Sequence, residues 1–293
     1  VIYRFFPTAA GRMSGGPFLC YRELIPSTGV HCSTFFQCDN DSNYLMTSTA
    51  HTLNIYAVRR DEGEPYLVHR LSQHTNGRPQ DICTIPSKRG MGVSNDRIMI
   101  TFDKGKIVIA EYSVPFNTLQ TISMINAEEG AIGDSAFVHS SGANSRLVHP
   151  GIGSVPFISS DCENSLCCIS LYAFKLFFVP QQPQSLDYCD KYASPFLVDV
   201  SSLNLSGAIL DFCFLSGYSR PVVAILQDNG ALPVGHAASV LHTCSVTALA
   251  VDITMENCVV LWQQTDLPHD SVRLLRLDSS VARGGALLVT MNA

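Results

Sequence analysis

The stretch Asp96–Met124, DRIMITFDKGKIVIAEYSVPFNTLQTISM, decides the fold class. Ile98, Ile100 and Phe102 alternate with Met99 and Thr101, the period-2 pattern of a pleated strand. Asp103-Lys104-Gly105 then reverses the chain, because glycine accepts the positive φ that a tight hairpin turn requires. Lys106–Tyr112 is a second strand, rich in β-branched Ile and Val. Val114-Pro115-Phe116-Asn117 turns the chain again, and Thr118–Met124 returns as a third strand. A small antiparallel meander of this kind is the unit of a β-propeller blade.

The same pattern extends in both directions. Short apolar runs separated by turn residues begin at Ser33–Cys38 and continue to Ala286–Met291, roughly nineteen in all. Divided into blades of about four strands, they predict an all-β chain, an incomplete β-propeller of four to five antiparallel blades. Trp262 is the only tryptophan and is followed by Gln263, so the propeller diverges from the Trp-Asp repeat. Residues 1–30, rich in Pro and Gly, read as a loosely ordered lead-in, and 31–293 as the partial propeller. Ser185–Tyr192 is compatible with one short helix. The chain starts at Val1 without an initiator Met and ends at Ala293 on an apolar strand, so it reads as a piece of a longer protein.

Composition narrows the function classes. Of 293 residues, 46% are hydrophobic and 15% charged, and the net charge is −6. The basic residues are scattered pairs (Arg59-Arg60, Lys88-Arg89, Lys104 with Lys106), not the cluster that neutralising nucleic-acid phosphates requires. Eleven cysteines follow no zinc-finger spacing, and most sit in apolar strand contexts such as DICTI and LDFCFL. They read as small core residues with free thiols, which suits a reducing compartment. Gly230–Val251 lacks charge over a long run, but Pro233, Gly235, His236 and His242 break it, so a loop and a buried strand are expected instead of a membrane span.

Chemistry-bearing residues are few. His236, His242 and Cys244 are close in sequence but supply too few ligands for a metal site. Glu128-Glu129 and Asp61-Glu62 with Glu64 are paired carboxylates in loop-like contexts, where solvated charge is the simpler reading. Gly151-x-Gly153 is too short for a dinucleotide fingerprint, and Asp228-Asn229-Gly230 reads as a hairpin turn. Asp211, inside ILDFCFL, needs a partner if buried and is expected to accept hydrogen bonds from a neighbouring blade. No catalytic, cofactor-binding or metal residue is expected, and partner-binding residues are not legible.

Two separated regions resemble the N-terminal propeller of the large scaffold subunit of the cleavage and polyadenylation specificity factor. One is ITFDKGKIVIAEY followed by LQTISM, within Asp96–Met124. The other is Ser194–Ala293, with the block Phe214-Leu215-Ser216-Gly217-Tyr218-x-x-Pro221, then Trp262, Leu267-Pro268 and Gly284-Gly285 in the family's order. The middle, Ile125–Ala193, carries no matching block beyond the apolar strands Leu166–Val179, and Leu232–His236 replaces the family's Trp-Pro-Gly-Arg-like turn. The resemblance implies a non-enzymatic scaffold in the nuclear machinery that cleaves and polyadenylates pre-mRNA. Its implied partners are protein subunits, zinc-finger and WD-repeat proteins, with RNA contacted mainly through them, and with no cofactor, membrane or small-molecule substrate. It also implies that strands from the far C-terminal end of a longer chain complete the propeller. The same superfamily includes a DNA-damage-binding adaptor of cullin ubiquitin ligases, which is the alternative reading, and a large splicing-factor subunit.

Overall fold

The computed structural model describes residues 28–38, 42–61, 64–87, 95–102, 105–127, 157–161, 166–171, 174–180, 195–205, 207–229 and 242–291. Eighteen strands run through them. The first blade is β1 (Cys32–Cys38), β2 (Ser42–Ser48), β3 (Thr52–Asp61) and β4 (Glu64–His74). The second is β5 (Pro79–Ile85), β6 (Arg97–Phe102), β7 (Lys106–Ser113) and β8 (Thr118–Asn126). The third is β9 (Ile158–Asp161), β10 (Leu166–Leu171), β11 (Lys175–Pro180) and β12 (Phe196–Asp199). The fourth is β13 (Ala208–Leu215), β14 (Val222–Asp228), β15 (His242–Asp252) and β16 (Asn257–Pro268). A fifth sheet contains β17 (Ser271–Arg276) and β18 (Ala286–Thr290).

Each four-stranded sheet is an antiparallel meander in chain order. The first strand of each blade packs on the first strand of the next: β1 on β5, β5 on β9, β9 on β13, and β13 on β17. These five are therefore the inner strands, and the fold is an incomplete propeller of four full blades and one two-stranded blade. The only helical element among the described residues beyond isolated single residues is one 3-10 turn, Val200–Leu203, capped by the Asp199 side chain.

The period-2 alternation sorts side chains between two neighbours, because sheets inside a propeller are covered on both faces. In β6, Ile98 and Ile100 pack toward the first blade while Met99 packs toward the third. In β10, Cys167, Ile169 and Leu171 face the second blade, and Leu166 and Cys168 the fourth. In β14, Val223 and Ile225 face the third blade, and Val222, Ala224 and Leu226 the fifth. The Val, Leu, Ile and Met side chains among them contribute about 1.5–3 kcal/mol each on burial, so the interfaces between blades hold the fold together. Phe36, Tyr44 and Tyr112 form an aromatic cluster between the first two blades, with ring centroids 5.3–6.1 Å apart.

The turns within Asp96–Met124 are as read where they are described. Gly105 has φ 64°, and Asn117, at the end of the second turn, has φ 49°. The Tyr112 hydroxyl donates to Asn117 Oδ1 at 2.6 Å, and Asn117 Nδ2 donates to the Arg70 carbonyl of the first blade at 3.0 Å. The turn reading at Asp228-Asn229-Gly230 is described only in part: the Asn229 N–H donates to the Thr243 carbonyl at 3.1 Å and prolongs the β14–β15 ladder, and Gly230 lies outside the described residues. The lead-in up to residue 27 and the helix reading at Ser185–Tyr192 lie outside the described residues.

Candidate functional site

The inner strands bring the chemistry-bearing side chains together. Asp81 lies in β5 directly after a register shift, and Asp211 lies in β13 directly after another. The shift turns each carboxylate toward the next inner strand. Asp81 Oδ2 accepts the Ile158 N–H of β9 at 2.9 Å, while Oδ1 accepts the Ile82 N–H at 2.9 Å. Asp211 Oδ2 accepts the Leu274 N–H of β17 at 2.8 Å. Burial pushes the Asp81 carboxyl up to about 6, against the pull of the Ile158 and Ile82 N–H groups and of Arg273; Asp211 adds to the rise. Burial raises Asp211 as well, opposed by the N–H groups of Leu274 and Phe212 and by Arg273. Carboxylates engaged in this way tie adjacent blades together.

Hydroxyls add to these links. Thr84 Oγ1 donates to the Phe35 carbonyl at 2.6 Å, and Ser160 Oγ donates to the Thr84 carbonyl at 2.7 Å, so β1, β5 and β9 are joined in sequence. Asp96 joins the first two blades at another point, its carboxylate accepting the N–H groups of Gln37 at 2.8 Å and Ser87 at 2.9 Å. Sequence reading missed Asp81 and Asp96. A signal for Asp81 was present: Asp81-Ile82-Cys83 and Asp211-Phe212-Cys213 are the same Asp-apolar-Cys triplet, each on an inner strand.

The other candidates remain apart. His242 is exposed at the start of β15, whereas Cys244 is buried and its thiol lies 3.8 Å from the His269 carbonyl. Glu64 is exposed at the start of β4. His236, Glu62, Glu128, Glu129, Gly151, Gly153 and Gly230 lie outside the described residues. Among the described residues, no three His, Cys, Asp or Glu side chains converge as metal ligands. Eight described cysteines are free thiols, six of them buried. No described helix is long and apolar enough to cross a membrane.

Similarity to known proteins points one way. The chain is 24% identical over 287 residues to the probable cleavage and polyadenylation specificity factor subunit 1 of Caenorhabditis elegans, covering 92% of this chain and 18% of that protein. It is 33% identical over 99 residues to the subunit 1 of Arabidopsis thaliana, 34% of this chain and 7% of that one. The chain is homologous to these subunit 1 proteins. The subunit 1 of Drosophila melanogaster is 23% identical over 222 residues, 69% of this chain and 14% of its own length. The chain thus spans 7% to 18% of the subunit 1 relatives it matches. No protein-family model matches it.

The blocks that carry the subunit 1 resemblance meet in space. Gly217 has φ 83° and Gly284 has φ 67°, both in the left-handed region. The Gly284 N–H donates to the Ser216 carbonyl at 2.7 Å, and the Ser216 hydroxyl donates to the Leu277 carbonyl at 2.8 Å. A Cβ on Gly284 would fall 2.6–2.9 Å from the Tyr218 ring. The Gly-Tyr block and the Gly-Gly block are thus two halves of one contact between the fourth and fifth blades.

Proposed function

We propose that this chain is part of a scaffold subunit of the nuclear machinery that cleaves and polyadenylates pre-mRNA, where it docks other subunits and does not itself catalyse. The observation that carries the reading is homology to subunit 1 of the cleavage and polyadenylation specificity factor across 92% of the chain. The architecture is compatible with it: Asp81, Asp96 and Asp211 are engaged by backbone N–H groups that join blades. Zinc-finger and WD-repeat subunits are the proposed partners, with RNA reached mainly through them. The net charge of −6 fits an indirect role on RNA.

The test is a polarisation titration of the purified chain, without partners, against a fluorescent RNA containing AAUAAA. The scaffold reading expects no saturable binding at micromolar protein. Tight binding that falls steeply between low and physiological salt would mean direct phosphate contacts and would overturn the indirect role.

A further inference from the structure

The outer strand of the fourth blade exposes a run of apolar side chains. Within β16, Val259, Val260, Leu261 and Trp262 are 57%, 38%, 47% and 40% exposed, four apolar residues in succession. Among the described residues, β15 is the only strand that pairs with β16, so its outer edge presents unpaired backbone groups. The register places Val260 opposite Leu249, and Val259 and Trp262 opposite Ala250 and Ala248. Leu249 faces the third blade and Ala248 the fifth, so apolar groups stand on both faces of this edge. Exposed edges are normally guarded by lysine or other charge within the strand. Here β16 contains no lysine or arginine, and Asp252 before it is paired with Arg220 at 3.6 Å, so the acidic groups nearest the apolar run are Glu256 and Asp266. Glu256 and Asp266 are exposed near the two ends of the apolar run.

We propose that β16 is a docking edge for an extended, apolar segment of another protein that carries lysine or arginine at its ends, with Trp262 as the anchor. The acidic residues at both ends fix the charge of the occupant. Backbone pairing supplies part of the attachment, as in strand addition to an exposed sheet edge. Register shifts at Leu261, between the pairs Ala248–Trp262 and Leu249–Val260, and at Thr265-Asp266, between Val246–Gln264 and Cys244–Leu267, split the edge into short runs. Side chains therefore carry more of the affinity. A half-exposed tryptophan suits that role, since it offers a large apolar face and a π surface for a cation. The proposal deepens the scaffold reading and rests on it for the existence of a protein partner.

Because Trp262 is the only tryptophan of the chain, its fluorescence reports this edge alone. The experiment titrates the chain with the peptide Lys-Lys-Val-Thr-Val-Thr-Val-Lys-Lys, blocked at both ends, and with its counterpart in which glutamate replaces every lysine. The expected result is a saturable change in Trp262 emission and reduced acrylamide quenching with the lysine peptide, at least tenfold weaker with the glutamate peptide. Val260→Lys should abolish the response, and the pair Glu256→Lys with Asp266→Lys should reverse the preference between peptides. The reversal pair keeps the test valid if Val260→Lys does not fold. No response, or equal response to both peptides, would overturn the proposal. Protection of Trp262 that rises with protein concentration alone, with dimers in sedimentation, would assign the edge to a second copy and overturn it too. Loss of peptide binding beside a normal partner set in purified complexes would remove this edge only, not the scaffold reading.

Discussion

Asp211 and Leu274 are joined across a blade boundary: the carboxylate on β13 accepts the backbone N–H on β17 at 2.8 Å. The two-stranded fifth blade has fewer strand partners than the others, so this bond matters to its attachment. Replacing Asp211 with Ala leaves the Leu274 N–H without its acceptor, which costs about 1–3 kcal/mol for a buried donor. Asp211→Asn, which keeps one acceptor oxygen, should cost less. Amide hydrogen exchange at Leu274 checks this directly. Faster exchange in Asp211→Ala than in Asp211→Asn is expected, and unchanged protection in both would contradict it.

Asp81 makes the equivalent bond and gives stability a pH dependence. Burial raises its carboxyl from an ordinary 3.8 to about 6. The folded state then binds more protons than the unfolded state between about pH 4 and 6. Its stabilising contribution is fully present below about pH 4 and is lost as pH rises through about 6. The shift corresponds to about 3 kcal/mol over that window. Urea midpoints of wild type and Asp81→Asn at pH 4 and 6.5 test it. The variant should lack this part of the slope, and parallel slopes would contradict the assignment.

Gly284 has φ 67°, and a Cβ there would meet the Tyr218 ring at 2.6–2.9 Å. Gly284→Ala should destabilise the chain by about 2 kcal/mol or more, combining left-handed strain with the clash. Adding Tyr218→Ala should remove the clash and leave the strain, so the two changes should not be additive. Simple additivity in denaturant titrations would show that the ring and the glycine do not meet.

The core thiols should be inert in the folded protein. Burial pushes Cys258 up to about 12, and burial with the nearby Asp211 charge does the same for Cys213; burial raises Cys168 well above the usual thiol range. Since the thiolate is the nucleophile, iodoacetamide at pH 8 should modify these three only after unfolding. Peptide mass spectrometry reads each cysteine separately. Labelling of Cys213 or Cys258 in the native state at the unfolded rate would refute their burial.

Much of the fold was legible because blades are local. Eighteen of the apolar runs became strands, since a meander needs only alternation and turn residues between neighbours. Asp211 stood out because its strand is otherwise apolar, and its bond to another blade fits that context. Asp81 and Asp96 did not, because their significance depends on bonds to residues 77 and 59 positions away. The length of β16, Asn257–Pro268, was also hidden, since an exposed outer strand carries no buried-face period. At Asp228-Asn229 turn-forming residues prolong a ladder, because pairing with Thr243 outweighs local preference.

The proposed membership of the polyadenylation machinery is open to direct measurement. The direct measurement is affinity purification of the tagged protein from nuclear extract of its own cells, with mass spectrometry of the purified complex. The expected result is the other subunits of the cleavage and polyadenylation specificity factor, zinc-finger and WD-repeat proteins among them, in stoichiometric amounts. Recovery of a cullin ubiquitin ligase in their place, with no polyadenylation subunit, would contradict it.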